Sequence, residues 1–197
     1  MKPKALAVGF LRLVALLLLS PLCHPIAAPV EWREVDAQVQ VVKPGPEHRK
    51  MGIFVGSWTY EGETFATPLG PKERFKGKLV SRFILDGFAL ETQWEEKNPL
   101  GLAQGLEIHT YDPASQSHRT YMFMNDGSQM IGIDKFNDTG ISFDYQLTDL
   151  RGRAMRARAT ASFTSGHRQF TSKWELSVDD GKTWMPFMEY TGKKVGK

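Results

Sequence analysis

From Gly56 onward the chain predicts an all-β fold, an antiparallel up-and-down β-barrel of about ten strands preceded by a short N-terminal helix. Three observations predict it. Apolar and polar residues alternate through short stretches. Asp, Asn, Gly and Ser punctuate those stretches at hairpin spacing. No amphipathic helical segment lies between them, which excludes a parallel βαβ architecture. A closed meander is the simplest arrangement of such strands, since closure removes the exposed edges.

The elements follow in chain order. Residues 1–28 read as a secretory signal: Lys2, Lys4 and Arg12 give a positive start, and the apolar run Leu13 to Leu19 follows. Ser20-Pro21 then breaks the run, and Pro25-Ile26-Ala27-Ala28 offers small residues for cleavage. The run is too short to cross a bilayer of about 30 Å, so the expectation is an exported protein, periplasmic or secreted, with no membrane span after cleavage. Cys23 is the lone cysteine and leaves with the signal, taking disulfides, thiolate metal sites and a cysteine nucleophile with it. The whole chain has 25 Lys+Arg against 22 Asp+Glu. Lys2, Lys4 and Arg12 account for the whole excess, so the exported part is formally neutral. A nucleic-acid partner, which would need a basic surplus, is not expected.

Residues 29–45 read as an extended leader and 46–197 as one barrel domain. Glu47 to Phe54 predict one or two helical turns, with Met51, Phe54 and Val55 on the apolar side. Strands are expected near 56–63, 77–85, 88–96, 103–111, 118–124, 129–136, 141–148, 154–163, 168–178 and 183–192. Asp86-Gly87, Asp112-Pro113-Ala114-Ser115, Asn125-Asp126-Gly127 and Asp179-Asp180-Gly181 supply turns between them. One apolar and one polar face per strand imply a water-facing outside and an apolar inside. Phe143 and Tyr145 share one face with Ile141 and Leu147. Met155, Ala157, Ala159, Ala161 and Phe163 share another, and Phe170, Trp174, Leu176 and Val178 a third. The alanine stripe leaves volume that either a cavity or Trp174 could occupy.

Phe54-Val55-Gly56-Ser57-Trp58, a short helix running into Phe-x-Gly-x-Trp at the first strand, resembles the opening of calycin-like barrels, the superfamily of lipocalins, fatty-acid-binding proteins and nitrobindins. With Leu85-Asp86-Gly87-Phe88, Tyr111-Asp112-Pro113-Ala114 and Tyr190-Thr191-Gly192-Lys193-Lys194, the similarity is closer to an exported bacterial family of barrels of unassigned function. The resemblance implies that Trp58 plugs one barrel end with Lys193 or Lys194 packed over its ring. The chain departs from that family within 103–124, where Glu107, His109, Met122 and Met124 stand, so a specific function could reside there.

Glu107 and His109, with Tyr111 next, share one strand face. A carboxylate and an imidazole in a row could do acid–base work, Glu107 as base and His109 as acid. Leu106, Ile108 and Thr110 make an adequate buried face, however, so the Glu107 row is expected to face water; the pattern leaves the inward alternative open, and that alternative would favour an enzyme. Met122 and Met124 share a face with His118 and Thr120. Thioether and imidazole are ligands suited to Cu(I), yet methionine more often lines an apolar cavity, and no metal or cofactor is expected. Arg156 and Arg158 share a side and read as a solvated outer face. Ser177 to Trp184 match one copy of the Asp-box found in sialidase-type propellers; a propeller needs repeats, so the box reads as a structural hairpin.

These features predict a non-enzymatic barrel that binds a small hydrophobic or amphipathic molecule, with Trp94, Met122, Met124, Phe143, Tyr145 and Trp174 as its lining. Two rivals stand beside it. One is an enzyme, a lyase, isomerase or hydrolase, with a polar site inside the barrel. The other is an envelope structural or interaction module. The pattern says nothing about oligomeric state.

Overall fold

The computed structural model describes residues 42–99, 101–137, 139–148, 152–164 and 166–196. The segment read as a signal, 1–28, and the part of the expected leader up to residue 41 lie outside the described residues. A short helix α1 (Pro46–Lys50) continues into a 3-10 turn at Met51–Phe54. Ten antiparallel strands follow: β1 (Gly56–Thr64), β2 (Arg74–Ile84), β3 (Ala89–Asn98), β4 (Gly101–Asp112), β5 (Ser117–Met124), β6 (Gln129–Asn137), β7 (Gly140–Thr148), β8 (Ala154–Phe163), β9 (Gln169–Ser177) and β10 (Met185–Val195). Each pairs with the next, and β1 closes on β10, giving a closed up-and-down barrel.

The helix closes one end. Met51 is wholly buried, and Phe54 packs edge-on to Phe163 at 5.3 Å. Trp58 is 1% exposed beneath them, against Phe163 and Phe170. Its indole N–H donates to the Phe54 carbonyl at 2.7 Å, and Lys194 Nζ stands 5.2 Å over its ring. Of the two lysines that the calycin resemblance offered, Lys194 is the one placed there. Gly56 enters β1 at φ 125°, where a Cβ would meet Lys194 Cε at 2.6 Å, so only glycine suits the turn. His118 Nε2 bonds the Glu47 carbonyl at 2.9 Å, tying α1 to β5.

On one wall, Phe143, Tyr145 and Trp174 stack in a row, with centroids 5.5 and 5.4 Å apart and planes within 11° and 3°. They fill the space beside Ala157, Ala159 and Ala161, so the alanine stripe accommodates rings there. At the opposite end the inward side chains Glu96, Ala103, Met124, Leu147, Met185 and Met188 are only half-buried. That end of the lumen is therefore accessible.

The structure overturns the expected direction of β4. Leu106, Ile108 and Thr110 point outward, in register with Phe123, Tyr121 and Arg119 of β5. Glu107, His109 and Tyr111 point inward, in register with Met122, Thr120 and His118. The outer wall tolerates the apolar residues as part of a broad stripe, in which Leu102, Phe123, Ile131 and Ile133 are 44–49% exposed.

Candidate functional site

Three neighbouring strands build a polar cluster inside the barrel. β4 supplies Glu107 and His109, β5 supplies Thr120 and β6 supplies Asp134. Antiparallel register sets His109 opposite Thr120, and Asp134 one inward position along from Gly132, which pairs with Thr120. His109 Nε2 bonds Glu107 Oε2 at 3.1 Å, and Nδ1 bonds Thr120 Oγ1 at 2.7 Å. The Thr120 hydroxyl donates to Asp134 Oδ2 at 2.6 Å. Phe54 stacks on the imidazole from the plugged end, centroids 5.9 Å apart.

With both carboxylates ionised, the bonding pattern sets the protonation of His109. Thr120 has one proton and gives it to Asp134, so its oxygen must accept from His109 Nδ1. With Nε2–H directed at Glu107, both imidazole nitrogens are donors, and His109 is an imidazolium between two carboxylates. The electrostatics agree. Burial alone would lower its pKa, but the hydrogen bonds and charges of Asp134 and Glu107 outweigh burial and push it up to about 9. The side chains of His109 and Asp134 are 5% and 0% exposed, that of Glu107 18%. Glu107 is thus the member that meets the lumen, with Oε2 held by His109. Asp134 Oδ1 is buried with no hydrogen-bond partner.

Around Glu107 the lumen is aromatic. Its charge reaches the phenols of Tyr60, Tyr145 and Tyr190, all raised in pKa chiefly by burial, Tyr190 to about 12. Trp94 of β3 lies across Gly105 of β4, and its indole N–H is buried and unpartnered. Glu96, also inward on β3, is raised by burial and accepts only a long bond, 3.5 Å, from Asn98.

All six residues expected as lining point inward, but they divide. Trp94 and Met124 are half-buried and flank Gly105 at the accessible end. Phe143, Tyr145, Trp174 and Met122 are 9% exposed or less and form the packed wall behind. The sequence named Thr120 only as a neighbour of Met122 and Met124 on one face, and did not single out Asp134. The arginines are external: Arg156 pairs with Asp144 and Arg158 with Glu175. The Asp-box is a hairpin, in which Asp179 accepts from Ser177 and Thr183 and Trp184 donates to the Gly181 carbonyl.

The sequence profile of DUF1579, described as a protein family of unknown function, matches residues 43–194, the whole barrel and its helix. The chain belongs to the DUF1579 family. Comparison with curated proteins gives no match. Among solved structures, this DUF1579 barrel is similar to Rv2717c from M. tuberculosis, with TM-score 0.58 and 8% identity over 77% of this chain and 99% of that one. It is also similar to the S-type phycobiliprotein lyase CPES from Guillardia theta, with TM-score 0.51 and 11% identity over 78% and 99%. At such identities the likeness is one of fold.

Proposed function

We propose that this barrel is an exported binding protein for a small amphipathic molecule, whose polar end meets Glu107 and whose apolar body lies along Trp94, Met124, Met188 and Tyr190. One observation carries the reading. A carboxylate sits inside a mainly apolar and aromatic lumen, partly exposed to it, and is held by a buried imidazolium rather than by solvent. A few placed polar groups in a mainly apolar recess are the usual make-up of a small-molecule site. A barrel of this shape also serves a phycobiliprotein lyase, which supports the reading by fold alone. Export rests on the Lys2–Ala28 segment.

The test is native mass spectrometry of the protein isolated from its own host, with uptake of the neutral fluorophore N-phenyl-1-naphthylamine by the purified protein. A stoichiometric adduct, released on denaturation, and saturable uptake are expected. Apo mass alone together with no uptake would overturn the reading.

The inward direction of Glu107 and His109 also favours a second reading, an enzyme with Glu107 as base. Both His109 nitrogens are engaged within the protein, so His109 would position Glu107 rather than meet a substrate. A recovered ligand converted by the native protein and left unchanged by Glu107→Gln would mark an enzyme; one left unchanged by both marks a carrier.

A further inference from the structure

The charges inside the barrel identify the chemistry of the polar end. This step rests on the lumen-binding reading above. Among the described residues, Lys194 is the one Lys or Arg at an inward strand position, and it lies at the plugged end over Trp58. The accessible half carries Glu96 and Glu107 at inward positions, and among the described strand residues the one basic group bonded to either is His109, at Glu107. His109 offers them nothing further, because its two N–H groups go to Glu107 and Thr120. One imidazolium thus faces two carboxylates in the cluster, and Glu96 adds a third along the lumen. Excess negative charge in a low-dielectric recess is costly until a positive group arrives.

One orphaned acceptor adds to this negative excess. Asp134 Oδ1, on a side chain with no exposure, lacks any donor, so part of the carboxylate charge in the cluster is left unmet. Buried polar atoms are nearly always paired, so each unpaired one calls for an explanation. We infer that the ligand is a cationic amphiphile, an aliphatic or aromatic molecule bearing an ammonium or similarly charged N–H group that docks on Glu107 with Glu96 beside it. An anionic amphiphile of the same shape would bring like charge to the carboxylates and be rejected.

The experiment is competition against N-phenyl-1-naphthylamine at pH 7 with three ligands of one chain length, dodecylammonium, dodecanol and dodecanoate, each below its micelle concentration. The expected order of affinity is ammonium, then alcohol, then carboxylate. The first and last should differ about tenfold or more, the scale of one partly buried charge contact. Glu107→Gln and, separately, Glu96→Gln should narrow that gap, with near-ultraviolet circular dichroism confirming the barrel. The wild-type order alone decides the question even where Glu107→Gln fails to fold. Dodecanoate binding as tightly as dodecylammonium would overturn the cationic assignment while leaving lumen binding intact. No probe uptake at all would overturn both.

Discussion

At the scale of single residues, two side chains carry measurable consequences. His109 titrates at about 9 in the folded barrel against an ordinary 6.5. A folded pKa above the unfolded one means the added stability is fully present below about pH 6.5 and is lost as pH rises through about 9. Because the imidazole is completely buried, the whole difference counts, on the order of 3 kcal/mol. Urea unfolding at pH 6.5, 8 and 9.5 should show a falling midpoint, and a flat profile would mean that His109 is neutral at pH 7. Trp58 is the other residue. Its indole is 1% exposed and fills the plugged end between Phe163 and Phe170. Trp58→Ala should cost about 3–5 kcal/mol, as for a large buried aromatic. A variant melting within a couple of degrees of wild type would show that the helix closes the barrel without it.

At the scale of elements, the strands were legible and one of their directions was not. β8 and β9 announce their buried faces because alanines and aromatics alternate with arginine, threonine and lysine. β4 and β6 do not, because both faces are of mixed polarity. Leu106 and Ile108 on β4, and Ile131 and Ile133 on β6, are apolar and point outward. A reading by hydropathy therefore turned Glu107 and His109 to water and passed over Asp134. The deciding signal was available between strands: cross-strand partners share a face, so placing Met122 and Met124 inside on β5 already required Glu107 and Gly105 inside on β4. Thr120 was hidden for a different reason, since its role exists only through the register that brings His109 and Asp134 to it. The β3–β4 ladder offers its own test. A Cβ at Gly105 would run into the Trp94 indole. Gly105→Ala should keep the sheet by far-ultraviolet circular dichroism, cost about 1–3 kcal/mol by overpacking, shift the tryptophan emission and weaken probe uptake beside Glu107. Unchanged uptake would remove Trp94 from the site.

For the molecule as a whole, the site depends on closure. Glu107, His109, Thr120 and Asp134 come from three successive strands, but the low-dielectric space that gives their charges force exists only when β1 meets β10. That pairing joins the two ends of the barrel sequence, Ser57 with Val195, Trp58 with Lys194, Thr59 with Lys193 and Tyr60 with Gly192. It is the longest-range contact in the fold, and no shorter-range pairing replaces it. Ending the chain after Thr191 deletes those four partners, the lysine over Trp58 among them, while leaving the seven hairpins from β2 to β9 intact. The ladder of β1 would then present unpaired N–H and C=O groups at an edge, which invites pairing with another copy. The expected result is a protein that runs as oligomers or aggregates by size exclusion with light scattering, binds no N-phenyl-1-naphthylamine in a saturable way, and has lost the fall in stability between pH 6.5 and 9. A truncated chain that stays monomeric, melts within about 4 °C of wild type and keeps that pH dependence would show that the β2–β9 ladder holds the buried imidazolium by itself and that closure is dispensable for the site.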